Sequence, residues 1–385
     1  MDLGEAPPYL DSLNTAQKEA AMCTKGPVMI IAGAGSGKTR VLTYRIAHIL
    51  RQGGNAFEVL ALTFTNKAAK EMRARIESVV GPEARNIWMG TFHSVFARIL
   101  RVEAELLNYP KNFTIYDADD TKSLIKTIVK EMNLDDKVYK ANLIYSRISM
   151  AKNNLITAEK YAQSSDLTMA DDQAGRNFFH YVYQKYQDRC KKAGAMDFDD
   201  ILLNTYRLFH NHPDALYKYQ HKFKYVMVDE YQDTNHCQYM IIKKLAAVNE
   251  NICVVGDDAQ SIYSFRGANI QNILNFERDY PDLKVFKLEQ NYRSSKNIVQ
   301  AAGSVISHNK EQLEKEVWTS NSDGEKIRVF KSATDNEEGR QIANDIFSRS
   351  LENQLDYDSF AILYRTNAQS RSMEEALRKR NIAYK

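Results

Sequence analysis

Short runs of β-branched and other apolar residues, each bounded by polar turns, recur along the chain. Several of these runs lead directly into segments whose apolar residues recur with the period of an α-helix. Strands that alternate with helices in this way are typical of a parallel sheet covered by helices on both faces. The pattern predicts an α/β fold with strands at Val28–Ile31, Val59–Thr63, Tyr225–Val228, Ile252–Val255 and Val285–Leu288.

Between about Tyr116 and Gly194 the strand pattern is absent and helical periodicity replaces it. Asp117 and Asp120 have the spacing of a capping box and indicate where one helix begins. We therefore expect residues 116–189 to form a helical insertion. The first α/β domain would then comprise residues 1–115 and 190–288.

A second α/β pattern begins near Leu288. Two such strands and the beginning of a third bury too little surface for a complete domain. We therefore expect residues 289–385 to be an incomplete second domain, in which the chain is truncated. Its expected strands and helices are Ile327–Phe330, Glu337–Leu351, Phe360–Tyr364, Ser372–Arg380 and Ile382–Lys385.

Composition narrows the class of protein. The 385 residues are 44% hydrophobic and 26% charged, which is typical of a globular protein with real cores. No run approaches the roughly 20 apolar residues that span a bilayer, and the acidic start Met1–Pro8 does not resemble a signal peptide. The four scattered cysteines indicate neither disulfides nor a zinc site, so we expect a reducing cytoplasm. A net charge of +3 does not decide whether nucleic acid is bound.

Residues 28–39 place a strand, a loop of small residues and a helix start in that order. Small residues let backbone N–H groups turn toward phosphates, and the helix N-terminus adds partial positive charge. Lys38 would neutralise the terminal phosphates and the Thr39 hydroxyl would hold Mg²⁺, which a turn without a ligand would not require. The loop therefore predicts a site for ATP and Mg²⁺, formed by Ala32, Gly33, Ala34, Gly35, Ser36, Gly37, Lys38, Thr39 and Arg40.

Two carboxylates follow the strand Tyr225–Val228 directly. Asp229 is expected to reach the Mg²⁺ ion, and Glu230 is expected to activate the attacking water. Acidic residues at strand ends are usually solvated surface groups. The phosphate loop in the same domain favours the catalytic interpretation of this pair.

Seven segments carry polar and aromatic residues at strand ends or in loops: Leu13–Gln17, Thr63–Ala69, Gly90–Ser94, Asp229–Asn235, Val255–Ala268, Glu289–Ser294 and Tyr364–Arg371. In this order they resemble the motifs of superfamily 1 DNA helicases of the UvrD/PcrA/Rep type, from Leu13 to about Arg371. The resemblance implies a RecA-like first domain followed by the start of a second. It implies ATP-driven 3′ to 5′ movement along single-stranded DNA and duplex unwinding, in DNA repair or replication. The implied partners are single-stranded DNA, duplex/single-strand junctions, and repair or replication proteins, with no membrane.

The resemblance extends the nucleotide site. Gln17, in a segment similar to the family's Q motif, would read the adenine edge, and Gln260 would sense the γ-phosphate. Tyr292 would stack on adenine, and Arg293 would reach the γ-phosphate, a role that suits the permanent charge of arginine. The implied catalytic residues are Lys38, Glu230, Gln260 and Arg293.

The resemblance also implies a DNA-binding surface. Aromatic faces accept any base, and Thr or Asn side chains can bond phosphates and sugars. Taken alone, Phe64 and His93 would more often be buried residues, and Phe265, where the family often has Trp, could be a core aromatic. The region of Arg365 and Asn367 could equally be a solvated basic loop. The implied DNA contacts are Phe64, Thr65, Asn66, Thr91, His93, Tyr263, Phe265, Arg365 and Asn367.

Two further points stay open at this level. Asp197–Asp200 resembles a family motif but would serve equally well as a helix cap. No counterpart of the family's last motifs, including a second arginine for the γ-phosphate, follows Lys385. Because such an arginine can contribute roughly 10³–10⁵ in turnover, we expect this chain to bind ATP but to be poorly active alone. Two functions other than a helicase stay open: a nucleotide-gated clamp on single-stranded DNA, and a phosphate-loop ATPase that acts on proteins.

Overall fold

The computed structural model describes residues 7–310 and 312–385, so Met1–Ala6 of the acidic start lie outside the described residues. The chain packs as two compact units, of which the first ends at Gly324 and the second spans Glu325–Lys385. The sequence placed a domain boundary at residue 288 instead. Packing within this chain does not test that assignment, which stays a prediction.

The described residues of the first unit form eight strands, numbered here in chain order: β1 Val28–Ala32, β2 Val59–Thr63, β3 Trp88–Thr91, β4 Thr114–Tyr116, β5 Ala195–Asp197, β6 Tyr225–Val228, β7 Ile252–Gly256 and β8 Lys284–Leu288. Six of them form one parallel sheet in the order β3-β2-β6-β7-β1-β8, and β4 pairs with β5 in a small second sheet. The five strands predicted from the sequence are confirmed. The β7 strand lies between the strand of the phosphate loop and the strand that precedes Asp229.

Both faces of the large sheet are covered, which explains the continuous apolar runs of its strands. Alternate residues of β2 belong to different cores: Leu60 and Leu62 pack with Phe92 and Phe96, whereas Ala61 on the other face packs with α-helical residues near the phosphate loop. Each face of the sheet therefore needs an apolar side chain at every second position of the strand. Because both faces are buried, every position of β2 is apolar or buried, which gives a continuous apolar run in the sequence.

Fifteen helices accompany these strands in the described part of the first unit. Those between 118 and 192 build a core of their own, and the first of them begins at the capping box that Asp117 and Asp120 form. The helices are α1 Thr15–Met22, α2 Lys38–Arg51, α3 Asn66–Val80, α4 Phe92–Glu103, α5 Ala118–Glu131, α6 Ala141–Asn153, α7 Ala158–Gln163, α8 Ser165–Gln173, α9 Phe179–Lys192, α10 Phe198–Asn211, α11 Pro213–Lys222, α12 His236–Ala246, α13 Gln271–Leu274, α14 Phe276–Asp279 and α15 Lys296–Ile306.

The second unit contains two α-helices, α16 Asp335–Glu352 and α17 Ser370–Lys379, which agree with the two predicted helices. They share a small core that includes Ala343 and Leu377. None of the helices described in either unit is long and apolar enough to cross a membrane.

The strands predicted in the second unit are wrong. Ile327–Phe330, Phe360–Tyr364 and Ile382–Lys385 have no regular structure, and Val329 and Leu363 are 90% and 94% exposed. A strand requires a neighbour that accepts and donates its backbone hydrogen bonds. The described residues of this unit contain no such pairing, so apolar composition alone does not make these segments strands.

Candidate nucleotide and nucleic-acid sites

The phosphate loop connects β1 to α2 at the carboxyl edge of the sheet. Gly35 and Gly37 adopt left-handed φ angles of +69° and +87°, which let the loop turn back on itself. The Ser36 hydroxyl donates to the Gly33 carbonyl at 2.7 Å and fixes the turn from within. The N–H groups of Gly35, Gly37, Lys38 and Thr39 donate to no acceptor in the described chain. Such a set of free donors at a helix N-terminus fits a phosphate group.

Asp229 and Glu230 follow β6, two strands away from the loop. Lys38 Nζ lies 3.0 Å from Glu230 Oε2, and Gln232 Nε2 donates to the same oxygen at 3.0 Å. Glu230 is a non-glycine residue with φ +50°, a conformation that costs energy and is enriched at functional sites. The structure therefore brings the predicted lysine and the predicted base together.

Asp229 is buried beneath this pair. Burial and the neighbouring Glu230 charge raise the pKa of Asp229 to about 6, against the opposing effect of Lys38 and of the Thr39 hydroxyl, which hydrogen-bonds to the carboxylate. Thr39 and Asp229 are therefore close together, as a shared Mg²⁺ ion would require. A hydroxyl and a carboxylate are oxygen ligands of the kind Mg²⁺ prefers.

Gln260 lies after β7, between the loop and the carboxylates. Its Nε2 donates to Asp257 Oδ2 at 2.6 Å, and the Asp257 N–H donates to Gln232 Oε1 at 3.0 Å. Gln232 thereby links Gln260 to Glu230. Sequence reasoning gave Gln232 no role, although it lies inside the matched Asp229–Asn235 segment.

The adenine end of the site is formed by α1 and the segment after β8. Gln17 is buried and donates from Nε2 to the Ser36 carbonyl at 2.9 Å, while its Oε1 accepts from the Asn14 N–H. Both ends of its amide are thus bonded within the protein. Tyr292 is half exposed and its hydroxyl accepts from Asn14 Nδ2 at 2.7 Å. Contact of Gln17 and Tyr292 with adenine stays a prediction.

Asn291 fixes the segment after β8 to the phosphate loop. Its Nδ2 donates to the Ala34 carbonyl at 2.6 Å, and its Oδ1 accepts from the N–H groups of Arg293 and Ser294. The Tyr292 N–H also donates to the Gly35 carbonyl. Arg293 is therefore held beside the loop by an asparagine that sequence reasoning did not single out, and its contact with the γ-phosphate stays a prediction.

A cleft of about 930 Å³ opens at the same edge of the sheet. Its lining combines five of the predicted DNA contacts (Phe64, Thr65, His93, Tyr263 and Phe265) with Glu230 and Gln260 of the nucleotide site. Helix α6 of the insertion adds Tyr145, Ser146, Ser149, Met150 and Asn153, which sequence reasoning missed. Phe265 is 66% exposed, so it is not a core aromatic.

Four predicted contacts lie elsewhere. Asn66 is the exposed first residue of α3, and the Thr91 hydroxyl caps α4 by accepting from the Ser94 N–H. Arg365 and Asn367 are exposed in the second unit, where Asn367 begins a short 3₁₀ helix. Thr65 lines the cleft, but its hydroxyl caps α3. Their contact with DNA stays a prediction.

Asp197 and Asp200 form the capping box of α10, so the helix-cap interpretation of this segment is correct. The buried Lys152 ammonium lies 2.7 Å from Asp197 and 2.8 Å from Asp200. Burial and the Asp197 charge raise the pKa of the neighbouring Asp199 to about 7. Burial lowers the pKa of His93, against the effect of Asp197.

A phosphate loop between a parallel strand and a helix, facing carboxylates at the end of a second strand, defines a phosphate-loop nucleotide-binding protein of the α/β class. Two family models match the chain: the UvrD/REP helicase N-terminal domain over residues 13–281 and the UvrD-like helicase C-terminal domain over residues 286–385. The chain belongs to the UvrD/REP helicase family, whose domains are RecA-like. The family predicted from the motifs is thereby confirmed.

Similar proteins carry the name ATP-dependent DNA helicase PcrA. One from Staphylococcus epidermidis is 48% identical over 379 residues, which are 97% of this chain and 50% of that protein. One from Leuconostoc citreum is 46% identical over 377 residues, 97% of this chain and 49% of that protein. The chain spans about half the length of the curated relatives it matches.

Proposed function

We propose that this chain is the ATP-binding motor portion of a DNA helicase that moves 3′ to 5′ along single-stranded DNA and unwinds duplex in DNA repair or replication. The observation that carries the proposal is that Glu230 and Gln260 belong to the nucleotide site and also line the cleft that holds Phe64, Tyr263 and Phe265. The two sites therefore share side chains. The relatives' printed name, ATP-dependent DNA helicase, supports the same reading.

In this proposal the free N–H groups of the loop and the Lys38 ammonium bind the β- and γ-phosphates. Thr39 and Asp229 would hold Mg²⁺, which supplies positive charge against the phosphate oxygens. Glu230 accepts a proton from the attacking water, and Arg293 stabilises charge on the γ-phosphate.

Coupling to DNA would pass through hydrogen bonds. Hydrogen bonds connect Glu230 to Gln232, Gln232 Oε1 to the Asp257 N–H, and the Asp257 carboxylate to Gln260. Tyr263 and Phe265 follow Gln260 within a few residues. A change at the γ-phosphate that moves Gln260 therefore moves the aromatic faces on which bases stack. A strand would be gripped and released as nucleotide is bound and hydrolysed.

The test is titration of the chain with a fluorescent ATP analogue and with oligo(dT), followed by ATPase assays with and without oligo(dT). We expect both ligands to bind, and turnover to rise with DNA. Nucleotide-dependent DNA binding without any turnover would favour a clamp. DNA-independent turnover would favour an ATPase that acts on proteins, and binding of neither ligand would refute the proposal.

A further inference from the structure

Residues 313–319 follow α15 without helix or regular strand and contact both the turn after β7 and the segment after β8; we call them the strap. The Leu313 N–H donates to Asp258 Oδ2 at 2.9 Å, and the Glu316 N–H donates to Glu289 Oε1 at 2.9 Å. At its far end Trp318 pairs with Gln290 beside the phosphate loop. The strap thus joins the turn after β7 to the segment that carries Tyr292 and Arg293.

Lys315 is the charged residue of the strap that points inward. Its Nζ lies 3.2 Å from Asp257 Oδ1 and 2.5 Å from Asp258 Oδ1. The lysine side chain is 7% exposed and the two carboxylates are 2% and 0% exposed. Two adjacent carboxylates at this depth require a cation, because an unpaired buried charge is costly. Lys315 lies at ion-pair distance from both carboxylates and supplies such a cation.

The same carboxylate orients Gln260. While Oδ1 of Asp257 faces Lys315, its Oδ2 accepts the Gln260 amide at 2.6 Å. That bond uses one of the two hydrogens on Nε2 and leaves the other as a donor for a phosphate oxygen. The direction of this second donor depends on the Asp257 carboxylate, and the carboxylate depends on Lys315.

The strap also touches the phosphate loop directly. A Cβ atom added to Gly33 would lie 2.5 Å from Val317 Cγ2, so the valine packs against the backbone of the first glycine. Two residues of one strap therefore contact the turn of Gln260 and the loop of Lys38. Their separation is fixed by the chain between them.

We propose that Lys315 is a positioning residue for ATP hydrolysis, which holds Asp257 and hence the Gln260 amide in register with the phosphate loop. The inference rests on the proposed function. It predicts that Lys315 acts on turnover and not on nucleotide affinity, since the loop itself supplies the binding groups.

The test compares Lys315→Met with Lys310→Met in the full chain. Lys310 is exposed and has no ion pair among the residues described, so it controls for loss of a lysine. We expect Lys315→Met to lower the DNA-stimulated kcat on the order of 10²-fold, the effect of displacing a reacting geometry by about 1 Å. The KM for ATP and the number of sites titrated by a fluorescent ADP should match those of Lys310→Met.

A second variant guards against simple misfolding. Lys315→Met combined with Asp258→Asn removes one of the two carboxylates that lose their partner, and Asn can still accept from the Leu313 N–H. This double variant should bind ADP at full stoichiometry and show the same loss of kcat. Full ADP binding with parental kcat would overturn the inference alone, as would loss of ADP binding in both variants. Absence of DNA-stimulated turnover in the parent would instead refute the proposed function.

Discussion

Replacing Gly35 by alanine should weaken nucleotide binding as well as destabilise the fold. Gly35 has φ +69°, and a Cβ there would lie 2.7 Å from Asn291 Nδ2 and 2.8 Å from Arg293 Cβ. Carbon atoms pack best at about 3.5–4.0 Å. The Asn291 side chain is held by three hydrogen bonds, so the whole segment that bears Tyr292 and Arg293 must move away from the loop.

The magnitude follows from the bonds that this movement strains. The Asn291–Ala34 and Tyr292–Gly35 hydrogen bonds cross from the segment to the loop. At about 0.5–1.5 kcal/mol net each, the two bonds amount to about 1–3 kcal/mol. If ATP must restore the native arrangement, its Kd should rise roughly 5- to 150-fold.

Gly26→Ala is the matched control. Gly26 has φ +77°, and a Cβ there meets nothing within 4 Å, so it carries the same backbone penalty without the collision. Both variants should lose about 1–2 kcal/mol of unfolding free energy in urea denaturation from the left-handed backbone, and Gly35→Ala should lose up to about 3 kcal/mol more from the two strained bonds. Only Gly35→Ala should lose affinity for a fluorescent ATP analogue. Equal nucleotide affinity in the two variants would refute the assigned role of the Asn291 contacts.

The remaining predictions concern the reacting groups and the cleft. Lys38→Ala should weaken nucleotide binding and abolish turnover, whereas Glu230→Gln should abolish turnover while nucleotide binding persists. ATPase assays and nucleotide titrations measure both effects. If Glu230→Gln turned over ATP at the parental rate, Glu230 would not be the base. Phe265→Ala should weaken oligo(dT) binding by about 1–3 kcal/mol in fluorescence anisotropy, whereas Phe57→Ala, exposed outside the cleft lining, should not. The pKa of Asp229 is raised from 3.8 to about 6, so protons should compete with Mg²⁺ for this carboxylate. Mg²⁺-dependent nucleotide binding should therefore weaken as the pH falls through about 6. Asp229→Asn should not show this pH dependence. The folded state binds the extra proton in that window, so the burial of Asp229 should lower unfolding free energy as pH rises from 3.8 to about 6.

The sequence determined the central strands because burial on both faces leaves little choice of residue. It did not reveal β3, whose four residues alternate between buried and half-buried and include Gly90; pairing with β2 makes it a strand. Ile327–Phe330 shows the opposite case, because it has the composition of a strand but no pairing partner among the described residues. Amino-acid composition indicates which segments are suited to burial, whereas strand pairing depends on which neighbours the folded sheet provides.

The same distinction holds for the candidate site. Lys38, Glu230 and Gln260 could be predicted because their motifs are local in sequence. Asn291 and Gln232 act through the hydrogen bonds of their side-chain amides, which leave no periodic pattern in the sequence. Lys315 contacts Asp258, which lies 57 residues away along the chain, and no local sequence pattern indicates that contact.

The ion pair between Lys38 and Glu230 has a consequence for the order of events. In the proposed mechanism, the ammonium that binds phosphate is already bonded to the carboxylate that accepts a proton, 3.0 Å away. Nucleotide binding is therefore an exchange, in which phosphate displaces carboxylate and some binding energy is lost in breaking the pair. Glu230→Gln should accordingly hold ATP more tightly than the parent. As long as no phosphate binds Lys38, the Glu230 carboxylate stays paired with the ammonium. Glu230 would then become available to accept a proton only after ATP has bound.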